Sequence, residues 1–399
     1  MSLHDALDLG REEGVDGGLS FGNFKLSLAV GVGDDDGRRI GKVPVMAEAV
    51  NGASFGVLSD VVITEVTGCT EQRAKKRKGF GSRWSRHSRR RAKTIAQNRM
   101  KTCPDFAQIV HDTVARKHAT SPVTAAASMR LLFSDCLVGG CDGSVLVSSN
   151  VFNHAERDAE VNRDLPGDAF DVVTRAKITL ELSCPGIVSC SDVLAQATRD
   201  LIAAVGGPSY KVELGRKDSL VSKVSDVEGN IPKPNQSIDE LIKLYTAKGF
   251  TIQEMVALYG GRTIGFSNCK EFSDRLFNFN KNTPTDPEIN SKYAEALKKS
   301  CADYEKNPAS SAYSDPVTPG KFDNVYYQNL LRGMGLLASD HALVKDPRTR
   351  KFVEMYAGNQ ALFFKDFGEA MEKMSVREVK TGGKGDVRTR CDAFNSINH

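Results

Sequence analysis

Apolar side chains recur at helical spacing from Thr102 onward. Behind Pro104, the side chains of Phe106, Ile109 and Val110 fall on one stripe of a helix. Proline suits the first helical turn, because that turn needs no backbone N–H donor. The same spacing predicts further helices over 123–137, 170–182, 192–205, 269–277, 323–333, 348–357 and 359–374.

Two more helices are indicated by capping sequences. Ser237 precedes Glu240 by three residues, and Thr251 precedes Glu254 in the same way. This is the capping-box pattern, in which each side chain bonds the other residue's backbone N–H. Helices are therefore predicted over 237–249 and 251–261. Strand patterns are few, the clearest being residues 57–67, so the sequence predicts a mainly α fold with long loops.

The net charge of +4 hides three regions of different charge. Residues 1–72 carry 5 basic and 12 acidic side chains, and residues 73–101 carry 13 basic side chains and no acidic one. We interpret 1–72 as an atypical, poorly ordered N-terminal segment and 73–101 as a solvated basic linker. The alternative is that 73–101 binds nucleic acid or directs nuclear import. A folded domain is expected over 102–399.

Composition excludes some classes of protein. No run of about 18 apolar residues is present, so no transmembrane protein is expected. The first residues, Met-Ser-Leu-His-Asp, lack the basic start and apolar core of a secretory signal. Nine cysteines nevertheless suggest an oxidising compartment if they are paired. Their spacing fits no zinc motif and does not by itself choose the pairs.

Six sequence blocks occur in a fixed order along residues 101–395. They are KTCPDF (101–106), AAASMRLLFSDCLVGGCDGSVLV (125–147), SCPGIVSCSDVLAQATRD (183–200), GGPSYKVELGRKDS (206–219), MVALYGGRTIGFSNC (255–269) and DPVTPGKFDNVYY (315–327). Together they resemble the secreted class III plant haem peroxidases. The resemblance implies two helical lobes with a haem cleft between them. It also implies four disulfides, Cys103–Cys184, Cys136–Cys141, Cys190–Cys391 and Cys269–Cys301, and leaves Cys69 unmatched.

The resemblance also assigns the distal side of the haem. Arg130 matches the distal arginine and Phe133 the aromatic residue beside it, but Ser134 stands where the family has its distal histidine. Glu156 and Asn162 match the residues that orient that histidine. A hydroxyl is no base near neutral pH, so peroxide cleavage is expected to slow by about 10²–10⁴-fold.

The proximal side departs from the family in the same way. Arg262 stands where the iron-ligating histidine belongs, and Asp340 matches the aspartate that bonds that histidine. A guanidinium has no free lone pair for iron. We expect Arg262 and Asp340 to form an internal ion pair, because either charge alone would be costly to bury. Tyr259, one turn earlier, is an alternative haem ligand, although an ordinary helix tyrosine is the favoured interpretation.

Two calcium sites are implied by the resemblance, built from hard oxygen ligands. The distal ligands would be Asp135, Val138, Gly140, Asp142 and Ser144, and the proximal ligands Thr263, Asp315, Thr318, Lys321 and Asp323, with Val138, Gly140 and Lys321 acting through their carbonyls. Pro232 matches a residue lining the substrate entrance.

The family's activity is the oxidation of phenolic donors by H₂O₂, which removes peroxide in the response to oxidative stress. We predict a monomeric pseudoenzyme of this type, calcium-bound and with haem b binding impaired, located outside the cell, in the cell wall or in the vacuole. One alternative is a residual peroxidase that holds haem weakly and uses Arg130. Others are a nuclear or nucleic-acid-associated protein acting through the basic segment, and a chain whose residues 1–100 are not the natural start.

Overall fold

The computed structural model describes residues 102–395 and, within the first hundred residues, three short strands whose side chains are left aside. Two compact units are present, Met1–Gly79 and Phe80–His399. In the first unit, β1 (Gly18–Phe21), β2 (Phe24–Ser27) and β3 (Ala47–Ala49) form an antiparallel sheet in that order. The predicted strand at 57–67, the basic segment 73–101 and Cys69 lie outside the described residues.

The second unit contains twelve α-helices within residues 102–395. They are α1 Phe106–Thr120, α2 Thr124–Leu137, α3 Gly167–Ser183, α4 Cys190–Ala204, α5 Ile238–Ala247, α6 Ile252–Tyr259, α7 Ser273–Phe277, α8 Ser291–Ser300, α9 Val325–Leu331, α10 Ala338–Lys345, α11 Pro347–Gly358 and α12 Gln360–Ser375. Two short strands, β4 Phe266–Asn268 and β5 Ser311–Tyr313, pair antiparallel. The predicted mainly α fold is confirmed.

Both predicted capping boxes are formed. The backbone N–H of Ser237 donates to the Glu240 carboxylate over 2.8 Å, and that of Thr251 donates to Glu254 over 2.7 Å. The reciprocal bonds to the two hydroxyls are also present. Each box satisfies backbone donors that have no partner within the helix, which fixes where α5 and α6 begin.

One predicted helix needs correction, and two helices were not predicted. The helix predicted over 269–277 is a 3₁₀ turn, Cys269–Glu271, followed by the short helix α7. Helix α8 was missed because its apolar stripe is narrow and charged residues surround it. Helix α10 was missed because only one of its buried residues, Leu343, is a large apolar one, so no apolar stripe marks it.

One large apolar core holds the helices together. It includes the aromatic rings of Phe322, Phe363, Phe367, Tyr327 and Tyr356, which pack edge-to-face or stacked with centroids 4.9–5.9 Å apart. Such ring pairs add to the stability that burial of their area already provides. This cluster fixes α9, α11 and α12 against α6 and so positions the segment that follows α6.

Four disulfides link the unit, and all four match the predicted pairs. They are Cys103–Cys184, Cys136–Cys141, Cys190–Cys391 and Cys269–Cys301, and they close loops of very different length. No helix among the described residues is long and apolar enough to cross a membrane.

Candidate functional site

The proximal segment is a 3₁₀ turn, Gly260–Ile264, that directly continues α6. Its two glycines are required by close packing. A Cβ atom on Gly260 would lie 2.3 Å from the hydroxyl of Tyr327, and one on Gly261 would lie 2.9 Å from the sulfur of Met129. Met129 belongs to α2, so these contacts bring the proximal turn against the distal helix and set the position of Arg262.

Arg262 and Asp340 form the expected ion pair. The Arg262 Nη1 atom donates to Oδ1 of Asp340 and, over 3.0 Å, to the hydroxyl of Ser339. Asp340 is fully buried and also accepts from the Tyr326 hydroxyl over 2.6 Å and from the Leu337 backbone N–H over 2.8 Å. Burial opposes the guanidinium charge, but the facing Asp340 carboxylate raises the pKa of Arg262 above its ordinary value. Arg262 is therefore a permanent cation.

The ring of Tyr259 lies beneath this cation. The guanidinium carbon of Arg262 is 4.5 Å from the ring centroid, a cation–π contact. Burial raises the pKa of Tyr259 to about 12, against the opposing effect of Arg262, and its hydroxyl has no hydrogen-bond partner among residues 102–395. Tyr259 is thus a neutral, buried phenol in contact with Arg262, which fits the favoured interpretation of a helix tyrosine.

On the distal helix, Arg130 is held by the segment that precedes α3. Its Nη2 atom donates over 2.6 Å to the carboxylate of Asp164 and over 3.0 Å to the carbonyl of Val161. The other oxygen of Asp164 accepts from the side-chain amide of Asn268, at 3.3 Å. Arg130 is 43% exposed and Asp164 is 36% exposed. Sequence reasoning missed Asp164, which neutralises the arginine.

Two polar side chains on the distal side are buried, Ser134 and Asn162. Ser134 is 4% exposed. Asn162 is also buried; its amide nitrogen donates to the backbone carbonyl of Glu156 over 2.9 Å, while its Oδ1 atom is buried without a partner. An unpaired buried acceptor is costly. Phe133 is partly buried against the core beside Ser134.

Of the predicted distal calcium ligands, Asp135 lies at the end of α2 and the other four lie in the segment that follows it. Asp135, Asp142 and Ser144 are at most 2% exposed. Glu156 joins them, since its carboxylate accepts from the Ser144 hydroxyl over 2.9 Å. Burial and the charge of Asp142 raise the pKa of Asp135 to about 8, while burial and the charge of Asp135 raise the pKa of Glu156 to about 9. Three carboxyl groups therefore lie buried in one group, and on Asp135 the effect of burial outweighs the opposing charge of Arg388.

The backbone carbonyls from the end of α2 into the loop that follows it include two different sets. The carbonyls of Cys136, Leu137 and Gly139 each accept from a basic side chain: from Arg377 over 2.8 Å, from Lys248 over 2.5 Å and from Lys380 over 3.0 Å, respectively. Within residues 102–395, the carbonyls of Val138 and Gly140 accept no hydrogen bond. The two free carbonyls are the two predicted ligands, so the donor set fits a cation of the calcium type.

The predicted proximal ligands are also brought together. Thr318 donates over 2.9 Å to Asp315 and lies 3.2 Å from an oxygen of Asp323. The hydroxyl of Thr263 lies 3.4 Å from the carbonyl of Lys321. The two aspartates and Thr263 are buried, each at most 3% exposed.

No cluster of three or more His, Cys, Asp or Glu side chains suited to a metal ion was found among the residues that the structure describes. Both predicted sets contain two carboxylates and complete themselves with carbonyl and hydroxyl oxygens. Such a mixture is ordinary for calcium and unusual for zinc.

Comparison with known proteins decides the family. Residues 110–359 match the family model described as Peroxidase. Peroxidase 41 of Arabidopsis thaliana is 57% identical over 298 residues, which are 75% of this chain and 90% of the relative. Peroxidase 65 of the same plant is 54% identical over 298 residues, covering 75% of this chain and 88% of the relative. Peroxidase 31 is 55% identical over 295 residues, covering 74% and 92%. This chain belongs to the class III plant peroxidase family.

The remaining predicted site residue of this peroxidase-family protein, Pro232, is half-buried in the loop before α5. The carbonyl of Pro234, in the same loop, accepts from the backbone N–H of Ser339 over 3.0 Å. Because Ser339 also accepts from Arg262, the loop is joined to the proximal ion pair. Ser339 and Tyr326 were missed from the sequence, since nothing local to either indicates a contact with this pair.

Proposed function

We propose that this peroxidase-family protein is a pseudoenzyme, with the peroxidase scaffold retained and normal haem catalysis lost. One observation carries the proposal. Arg262 stands at the proximal position and is engaged by Asp340, the residue that would orient a ligating histidine. The residues below the expected haem therefore do not fit an iron–histidine bond.

The electrostatics of the proximal side support this proposal. A guanidinium offers no lone pair, and the charge of Asp340 keeps Arg262 protonated. To free Asp340 for another partner would leave one buried charge unpaired, which costs several kcal/mol, on the order of 3–5. Burial raises the pKa of Tyr259 to about 12, so this phenol is harder to ionise than a free tyrosine.

The distal side supports the same conclusion. Peroxide cleavage needs a base that takes a proton and returns it to the leaving oxygen. Ser134 cannot take that role, and Asn162 keeps an unpaired Oδ1 atom in the place where a histidine donor is expected. Arg130 is already paired with Asp164, which lowers the positive charge available to a developing oxyanion.

Calcium is the cofactor that the residues fit. Two oxygen sets are buried, one around Asp135 and Asp142 and the other around Asp315 and Asp323. A divalent cation would offset the charge of each set and hold its loop to the neighbouring helix. We assign calcium a structural role, together with the four disulfides.

We base the proposed location and partners of the protein on its family and its disulfides. We propose that the protein is exported, because its four disulfides require an oxidising compartment. H₂O₂ and small aromatic donors are the family's substrates, and we expect a monomer that turns them over poorly.

Peroxide-dependent oxidation of guaiacol by the full chain, with disulfides formed and with haemin and calcium added, tests the proposal. We expect a rate close to that of free haemin. A residual peroxidase that relies on Arg130 would instead give a protein-dependent rate that falls on Arg130→Leu substitution. A rate comparable to that of an active relative would overturn the proposal.

A further inference from the structure

Four basic side chains donate to backbone carbonyls at the end of α2 or in the loop that follows it. Arg377, Lys380 and the buried Arg388 belong to the segment after α12, and Lys248 follows α5. The acceptor carbonyls belong to Cys136, Leu137, Gly139 and Gly143. Lys380 also contacts a predicted calcium ligand, since its ammonium lies 3.3 Å from Oδ2 of Asp142.

Lys380 is held in this place by its own backbone. The carbonyl of Lys380 accepts from the backbone N–H of Lys217 over 3.0 Å, as part of a short antiparallel bridge. The side chain is 29% exposed, whereas the carboxylate of Asp142 is 2% exposed. The ammonium therefore approaches a buried ligand group from the solvent side of the loop.

Two basic side chains act on the carboxyl groups of this region: the buried Arg388, whose charge opposes the rise in the pKa of Asp135, and Lys380, which contacts Asp142. Asp135, Asp142 and Glu156 lie within one buried group. Among the ion pairs found in residues 102–395, the pair with Lys380 is the one that reaches these three carboxyl groups. A cation at that distance stabilises an anion, and it repels a second cation that binds to the same anion.

We propose that Lys380 is a built-in counter-cation of the distal calcium site. When calcium is absent, its ammonium neutralises Asp142 and keeps the loop folded. When calcium binds, the two cations share one carboxylate, so Lys380 lowers the affinity of the site for calcium. The inference rests on the proposed distal calcium site and concerns a residue outside the predicted ligand set.

The test is calcium binding by the full-length protein, measured by isothermal titration after removal of calcium with EGTA. Lys380→Gln removes the charge and Lys380→Arg keeps it. Lys384→Gln removes the charge of an exposed lysine in the same segment, which forms no ion pair within residues 102–395. Asp142→Asn identifies which binding phase belongs to the distal site.

We expect Lys380→Gln to tighten the distal dissociation constant about tenfold, and Lys380→Arg and Lys384→Gln to leave it within about twofold. Lys380→Gln is also expected to lower the melting temperature in EGTA but not in saturating calcium. Lower stability of the calcium-free protein together with tighter calcium binding separates a counter-cation from a merely structural side chain.

The experiment distinguishes failure of the inference about Lys380 from failure of the proposed calcium site. If the wild type binds calcium in a phase that Asp142→Asn removes, and Lys380→Gln leaves that phase unchanged or weaker, the inference about Lys380 is wrong and the site stands. If neither the wild type nor Lys380→Gln binds calcium in that phase, the site and the inference both fall. Binding that appears only in Lys380→Gln supports the inference.

Discussion

The guanidinium of Arg262 donates to the carboxylate of Asp340, which is fully buried, and both charges are satisfied in this way. The pair links the turn after α6 to α10, and the hydroxyl of Tyr326 adds a third member. In our proposal, Arg262 and Asp340 stand where the family pattern has the iron-ligating histidine and the aspartate that bonds it.

Breaking this pair is expected to destabilise the protein. Arg262→Met leaves the carboxylate of Asp340 buried without its cation, at a cost of about 3–5 kcal/mol in the free energy of unfolding. Chemical denaturation measures the loss. The double variant with Asp340→Asn is expected to recover much of it, because no unpaired charge remains. Arg348→Met, which removes an exposed pair, serves as the control and should change stability little. Equal effects of Arg262→Met and Arg348→Met would contradict the account.

A second prediction concerns the unpaired Oδ1 atom of Asn162. Ser134→His supplies an imidazole donor on the distal side. We expect it to raise peroxide turnover about 10²–10⁴-fold when it is added to Arg262→His, and to do little alone. Stopped-flow measurement with H₂O₂ gives the rate. Ser134→Ala in the same background is the matched control, and Asn162→Ala should reduce the gain. If Ser134→Ala raises peroxide turnover as much as Ser134→His does, the proposal that the distal side lacks a base is wrong.

The disulfides should differ in their contributions to stability. Cys190–Cys391 joins residues 201 apart and Cys136–Cys141 joins residues 5 apart. If the bonds act by restricting the unfolded chain, loss of the longer loop costs about 5 kcal/mol and loss of the shorter about 2 kcal/mol. Paired Cys→Ala variants compared by urea denaturation check the order. The reverse order would show that local strain or packing dominates.

Lys248 should make the free energy of unfolding depend on pH in the alkaline range. Burial, with the nearby charge of Arg377, lowers the pKa of Lys248 to about 8 from the ordinary value of 10.5. Between these two pH values the unfolded chain binds more protons than the native state, so this lysine makes the free energy of unfolding rise as the pH rises. Lys248→Met should remove that slope.

The measurement is the free energy of unfolding of wild type and variant from pH 7.5 to about 10.5, the window between the two pKa values. Lys243→Met, at an exposed lysine of α5, should keep the wild-type slope. A difference between wild type and Lys248→Met that does not change with pH would contradict the prediction.

Much of the fold could be predicted from the sequence because the signals for it are local. The capping residues Ser237 and Thr251 fix the starts of two helices, and the apolar stripe behind Pro104 fixes another. Helix α8 escaped prediction, since Tyr293, Ala294 and Leu297 are its only buried residues and the packing around them is set by distant segments.

The candidate site was predicted in part. Its ligand groups stand in contiguous motifs, and the pairing of Arg262 with Asp340 followed from the cost of burying either charge alone. The hydrogen bonds from Arg377 to Cys136 and from Lys380 to Gly139 each join residues 241 positions apart, so no local pattern could indicate them. The same holds for Asp164, whose bond to Arg130 depends on the arrangement of two helices.

Haemin titration of the full-length, disulfide-bonded protein, followed by its absorption spectrum, tests the central claim most directly. The Soret band reports whether a histidine binds the iron. For the wild type we predict no stoichiometric histidine-type spectrum, because Arg262 is held by Asp340. For Arg262→His we predict that such a spectrum appears. A stoichiometric histidine-type spectrum in the wild type would contradict the account.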